Sequence, residues 1–424
     1  MTLLKEDKIN YLNIGLMLVT ATLAFFMPFE TFLLAYAFLG PLHYLTEISW
    51  LHDRQYFSKG KYDFVVLLVV GVLLSIAAFA SDFGYDWDIR QQFVELNLFD
   101  QLLVFALFAS VLFAFVKNIF IKVFSIAFLY IIVSGWLSPE SALENESSTL
   151  IFALTSLVPT LIHVYVFTGL FMLYGALKSR SKSGLWQMVG FVIVPIMLVF
   201  MLPVNAKSNN LTNYGKDAYY AKGNGFFMTN VSIMNHFGLV NEQYMTNKQY
   251  LDSFIIKKGS SVPLPDQQRI TDSLKGKLQQ PYIVQNQTNE YYQKAIPTRF
   301  AFPTNSKDYF WNSVFFSTFG IMLMRFIAFA YLYHYLNWFS KTEVIRWHKV
   351  PKARFVGVIV LWLASCGFYL YDYSLGLSVL FFLSFTHVLL EFPLNIVSIV
   401  GIGKEGYSIF KHGFKPIPSD SSAE

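Results

Sequence analysis

Ten apolar stretches, each close to the roughly 17–25 residues a helix needs to cross about 30 Å of hydrocarbon, run through this chain. They fall near 11–28, 30–50, 63–80, 98–116, 119–137, 149–176, 185–204, 311–337, 355–372 and 377–402. In lipid each backbone N–H and C=O must be paired within its own segment, so such stretches fold as helices. The expected fold class is therefore an all-α polytopic membrane protein with about ten transmembrane helices. The composition agrees, with 54% hydrophobic and 14% charged residues, against roughly 25% charged in soluble domains. A single cysteine, Cys366, rules out an intrachain disulfide or a cysteine-based zinc site. The polar start from Met1 to Asn10 and the apolar run after it do not read as a cleavable signal peptide.

The loops between these stretches alternate in sign. Basic ones carry Lys5/Lys8, Arg54/Lys59/Lys61, Lys117/Lys122, Lys178/Arg180/Lys182, the Lys341–Arg354 group and the tail from Lys404; acidic ones carry Asp82/Asp86/Asp88/Glu95 and Glu140/Glu144/Glu146. With ten spans the alternation keeps its phase, and the excess of Lys and Arg on one side places both termini in the cytoplasm. The net charge of +5 is spread over these short loops, so it concerns orientation and gives no case for nucleic-acid binding. The domain plan is helices one to seven in 1–204, a non-cytoplasmic polar insert in 205–310, helices eight to ten in 311–403 and a cytoplasmic tail in 404–424. Within the insert, 225–240 has an apolar face that fits an interfacial helix or a small packed domain. Its one histidine, His236, reads as an ordinary surface residue. The location expected is a bacterial inner membrane.

Four histidines lie inside apolar stretches: His43, His163, His334 and His387. An ionisable group in the bilayer costs about 2.5–3.5 kcal/mol, so such residues are rare and face the bundle interior. All four fall on spans that run in the same direction and at similar depth, which is what a shared site between helices requires. Imidazole is the commonest metal ligand, and the set forms the candidate metal ligands. Glu47 and Glu391 each lie four residues after a histidine, on the same helix face, where a carboxylate ligates or orients the imidazole. Asn337, three residues after His334, joins them as a supporting group. Arg325 interrupts an apolar run nine residues before His334, fitting a lipid headgroup, an acidic partner or a polar cavity. Gly40-Pro41, Pro195 and Pro393 mark expected irregularities in the helices. Imidazole with carboxylate and no thiolate suits iron, zinc or copper.

The segments Pro41-Leu42-His43-Tyr44-Leu45-Thr46-Glu47, Tyr333-His334-Tyr335 and Thr386-His387-Val388-Leu389-Leu390-Glu391 resemble histidine motifs of the Brp/Blh membrane β-carotene dioxygenases. The resemblance implies a non-haem iron held by His43, His334 and His387, with dioxygen cleaving a carotenoid at its central double bond. His163 joins by topology, without a motif of its own. Relative to that family, Tyr44 replaces a glycine, Glu47 replaces an aspartate, and this chain has more spans and the polar insert.

Three functions follow as expectations. The first is a membrane oxygenase with non-haem iron, acting on a lipophilic small molecule such as a carotenoid or isoprenoid that enters laterally from the bilayer. The second is a haem-binding redox protein, with facing histidines as axial ligands and Arg325 or Arg346 on the propionates. The third is a transporter or envelope-assembly protein that uses a His/Glu proton network.

Overall fold

The computed structural model describes residues 5–82, 96–138, 149–205, 211–220, 233–234, 236–237, 244–246, 282–285, 291–294, 299–301, 314–341, 346 and 349–415. Two compact units divide the chain: 1–236 with 314–424, and 237–313. The acidic residues Asp86, Asp88, Glu95, Glu140, Glu144 and Glu146, the sequons at Asn210, Asn230 and Asn286, and most of 225–240 lie outside the described residues.

Among the described residues the larger unit is helical. In chain order its helices are α1 (Lys5–Phe26), α2 (Pro28–Leu34), α3 (Gly40–Asp53), α4 (Asp63–Asp82), α5 (Leu98–Phe115), α6 (Ile119–Trp136), α7 (Thr149–Phe152), α8 (Thr168–Ser179), α9 (Lys182–Ile196), α10 (Asn213–Tyr220), α11 (Thr318–Ser340), α12 (Lys352–Tyr371) and α13 (Tyr373–His412). Wider π-helical turns, Ala35–Leu39 and Ala153–Phe167, join α2 to α3 and α7 to α8, and Met197–Met201 extends α9.

Among the described residues, eight helical runs are long and apolar enough to cross a membrane, which makes this an integral membrane protein: Glu6–Phe26, Leu98–Phe115, Ile119–Trp136, Thr149–Ser179, Lys182–Met201, Thr318–Ser340, Lys352–Tyr371 and Leu375–His412. The other two expected spans are helical but interrupted or shorter. The π turn at Ala35–Leu39 divides the second into α2 and α3, and α4 offers a shorter apolar stretch, Asp63–Ile76. The expected tail is also partly helix. Nothing after Lys404 breaks the helix until Gly413, which takes the left-handed φ of 78° beyond the last turn.

The three π turns share a nearby proline. Each contains or adjoins a proline (Pro41, Pro159 or Pro195), which lacks an N–H and whose ring presses on the carbonyl four residues back. Side chains bond carbonyls close to these prolines. Tyr165 donates to Phe191 O at 3.0 Å, opposite Pro195; Trp362 donates to Phe38 O at 2.8 Å, just before Pro41; Thr160 donates to Ser156 O at 2.5 Å, beside Pro159. By contrast, α13 runs on through Pro393.

The connector between α5 and α6 is short, and Asn118 caps α6 by accepting from Phe120 N and Ile121 N. Lys122 is no loop cation. Only 2% exposed, it holds both carboxylate oxygens of Asp63 at 2.6 and 2.8 Å and ties the otherwise outward-facing α6 to the start of α4. Helix α11 packs on α1 and α2, while α13 packs on α3, α4, α5, α8 and α12, so these two form the centre of the bundle. Their close approaches depend on small residues: a Cβ on Gly71 of α4 would stand 2.9 Å from Thr386 Oγ1, next to His387.

The first part of the expected insert belongs to the bundle unit. Helix α10 buries Ala218 and Tyr219, Thr212 N and Oγ1 each bond Glu30 at 2.7 Å, and Tyr214 donates to Tyr369 O at 2.9 Å. His236 is half-buried rather than free on a surface, its ring 4.0 Å from that of Phe152 and nearly parallel to it. The smaller unit contributes strands: β1 (Tyr244–Thr246) pairs antiparallel with β4 (Arg299–Ala301), and β2 (Tyr282–Gln285) with β3 (Tyr291–Lys294).

Candidate metal centre

The four membrane histidines meet. His43 comes from the first turn of α3, His163 from the π segment Ala153–Phe167, His334 from α11 and His387 from α13. Their exposures are 1, 2, 6 and 2%, and ring centroids lie 4.6 Å (His43–His334), 5.1 Å (His163–His334, His163–His387) and 5.4 Å (His43–His387) apart. His334 Nε2 faces His43 Nε2 at 2.9 Å, and His163 Nε2 faces His387 Nε2 at 3.2 Å.

Two tautomers are set by partners. Thr168 Oγ1 lies 3.0 Å from Val164 O, a group that only accepts, so the hydroxyl proton goes there. The same oxygen sits 2.6 Å from His334 Nδ1, which must then be the donor. His387 Nδ1 likewise donates to Leu383 O at 3.3 Å. Both rings therefore carry a lone pair on Nε2, that of His334 facing His43 and that of His387 facing His163.

The carboxylates differ. Glu47 Oε2 lies 2.9 Å from the inward nitrogen of His43, its Nε2. Glu391 Oε2 lies 3.2 Å from the outward nitrogen of His163, its Nδ1. Both glutamates are buried, at 2 and 1% exposure. His43, Glu47 and His387 form a group whose ligand atoms all lie within 4.8 Å of one another, and it can hold a metal ion.

Aromatic packing fixes the rings. Tyr44 stacks on His387 at 4.3 Å, and its hydroxyl bonds that of Tyr335 at 2.9 Å. Trp338 stands edge-on to His43 at 5.2 Å, held by its Nε1–H donating to Thr46 Oγ1 at 3.0 Å. The glycine before Pro41 makes room for the tyrosine pair, since a Cβ on Gly40 would lie 3.0 Å from Tyr44 Oη.

The other sequence candidates land elsewhere. Asn337 is buried with Oδ1 unpartnered, and lines a cavity below the cluster rather than bonding a histidine. Arg325 is remote from that cavity: its Nη2 donates to Pro203 O at 2.9 Å and its guanidinium lies 4.3 Å above the Phe25 ring. Thr168, which sets the tautomer of His334, is the functional residue the sequence did not flag. Five residues after His163 and across from His334, it carries no local signal of that role.

The cavity, of about 670 Å³, is lined by His43, Glu47, His334 and Glu391 at its depth and by Glu6, Lys178, Ser179 and Lys341 at its mouth; neither His163 nor His387 lines it. Ser179 donates to Glu6 at 2.5 Å, and Arg180 pairs with Glu405 at 2.8 Å, fastening the α8–α9 turn to α13. Lys341, at the end of α11, is held down to about 8 by burial.

No family model matches the chain, and neither a curated protein nor a solved structure matches it.

Proposed function

We propose that this protein is a membrane-embedded oxygenase of a lipophilic substrate, with His43, His163, His334 and His387 holding a non-haem iron. The observation that carries the reading is the pairing of four buried imidazoles from separate helical segments, His43 with His334 and His163 with His387, around the His43, Glu47 and His387 group that can hold a metal ion. The two facing pairs stand at 2.9 and 3.2 Å, close enough for one ion to be met by both nitrogens of a pair. His387 Nδ1 donates to Leu383 O, which leaves the His387 lone pair on Nε2 facing the His163 ring, where a cation can meet it.

Neutral imidazoles with a carboxylate and no thiolate suit ferrous iron. Bound there, iron would supply a redox-active Lewis acid for dioxygen chemistry. The chain's own residues do the rest. Glu47 adds a carboxylate on the inward side of His43, Glu391 and Thr168 orient His163 and His334, and Tyr44 and Trp338 pack against the His387 and His43 rings. The short motifs that resemble the carotenoid dioxygenases agree with this reading. Haem has less support: Arg325, expected on its propionates, does not line the cavity that reaches the histidines. Arg325 is also occupied by a backbone carbonyl.

The reading includes ten membrane crossings, α2–α3 and α4 among them, in an inner membrane with both termini cytoplasmic. The cavity mouth, with Lys178 and Lys341, then opens on the cytoplasmic side. The test is elemental analysis and a visible spectrum of detergent-purified protein, wild type against His43→Ala and His387→Ala. Iron near one equivalent, absent from both variants and without a Soret band, is the expected result. Folded wild type without metal would overturn it and leave the cluster as a hydrogen-bonded proton network.

A further inference from the structure

The cavity that reaches the histidines is unevenly furnished from end to end. Its mouth carries two ammonium groups. Lys178 lies 5.7 Å over the Tyr174 ring, Lys341 follows the last turn of α11, and neither is ion-paired to a carboxylate among the described residues. The one acid beside them, Glu6, is engaged by Ser179 at 2.5 Å. Below the mouth the wall turns apolar with Phe171, Met172 and Leu394. At the bottom lie His43 and His334. From Lys341 to His334 is seven residues of one helix, or about 10 Å at about 1.5 Å per residue. A volume of about 670 Å³ lies within the roughly 300–1,000 Å³ of small-molecule pockets.

We infer that the substrate is a single-chain amphiphile with an anionic head, carboxylate or phosphate. The head rests on Lys178 and Lys341, and the hydrocarbon extends past Phe171 and Met172 to the histidines. This narrows the lipophilic substrate proposed above, and rests on that reading for which end reacts. It also replaces lateral entry between helices with entry at the end of the bundle. Two buried polar atoms of the same wall, Asn337 Oδ1 and Ser398 Oγ, lack protein partners and give the chain's polar substituents something to bind.

The test is equilibrium binding of radiolabelled dodecanoate, dodecyl phosphate and dodecanol to the full-length protein in phosphatidylcholine nanodiscs, with empty discs subtracted. Metal content is measured on the same samples. An anionic probe should bind at least tenfold more tightly than dodecanol, and the better of the two anions identifies the head. Lys178→Gln with Lys341→Gln should remove that preference while leaving the metal content and dodecanol binding unchanged. Met172→Trp, which fills the apolar wall, should weaken both anionic and neutral probes. Equal binding of dodecanol and both anions, or an undiminished preference in the double lysine variant, would overturn the inference. Repeating the measurement on His43→Ala separates the two proposals: anion-selective binding by metal-free protein supports the cavity reading even if the iron reading fails.

Discussion

The two halves of the histidine cluster are built from the same parts and differ in what they face. In one half, His43 and His334 meet at 2.9 Å and Glu47 touches the inward nitrogen of His43. In the other, His163 and His387 meet at 3.2 Å and Glu391 backs the outward nitrogen of His163. The first half lines the cavity with both of its rings, the second with neither. An identical sequence pattern, histidine with glutamate four residues on, has thus been used in two ways. Along α3 the glutamate returns to its own histidine; along α13 it reaches across to a histidine on another helical segment. The difference teaches that a shared helix face determines which groups are neighbours, while the packing partner determines which atom each one meets.

The largest effect expected from breaking this arrangement is on stoichiometry. If both halves serve one ion, His43→Ala combined with His334→Ala leaves no bound metal; a full equivalent retained by that variant would make the halves two separate sites. Next comes the contrast between the acids. Glu47→Gln removes a charge beside an inward nitrogen and should cost about 100-fold in metal affinity, whereas Glu391→Gln removes an orienting partner and should cost about 10-fold. Competition with a chelator measures both, and equal losses would erase the distinction.

Thr168→Val should cost about 10-fold as well, because His334 loses the acceptor that holds its proton on Nδ1, and Thr168→Ser should restore the affinity. The smallest effect concerns the open half. Lys341 is held near 8, below its ordinary 10.5, so its charge and its share of anion binding should fall as pH rises through about 8. Dodecanoate affinity at pH 6.5 and 9.5 should differ by a few-fold in wild type and hardly at all in Lys341→Arg, with Lys178 and Glu6 the other charged groups of the mouth. The stability sign is opposite. Between about 8 and 10.5 the unfolded chain holds a proton on this lysine that the folded chain has lost, so its contribution to stability rises with pH there.

Much of this site was legible in the chain because membrane burial is so selective. Four imidazoles in apolar stretches had to face inward, and their common phase brought them to one depth. The i, i+4 glutamates were legible for the same reason. What did not show was atomic. Thr168 matters because its proton is committed to Val164 O, a fact of helix geometry that no local pattern carries. Lys122 read as a loop cation because its partner, Asp63, is far away in sequence. Arg325 read as a site residue until Pro203 supplied its carbonyl. Gly40-Pro41 and Pro195 foretold irregular helices and lie beside π turns, yet α13 runs on through Pro393, where an irregularity was also expected.

The distribution of the four histidines has a consequence for biosynthesis. His43 enters the membrane on α3, ahead of the other three histidines, while His387 and Glu391 arrive on α13, the last of the described bundle helices. A nascent chain halted before α13 already contains three of the four imidazoles, but only the His43–His334 pair is complete. If the cluster holds one ion, its full ligand set forms only when α13 joins the bundle, and bound metal would then report that insertion.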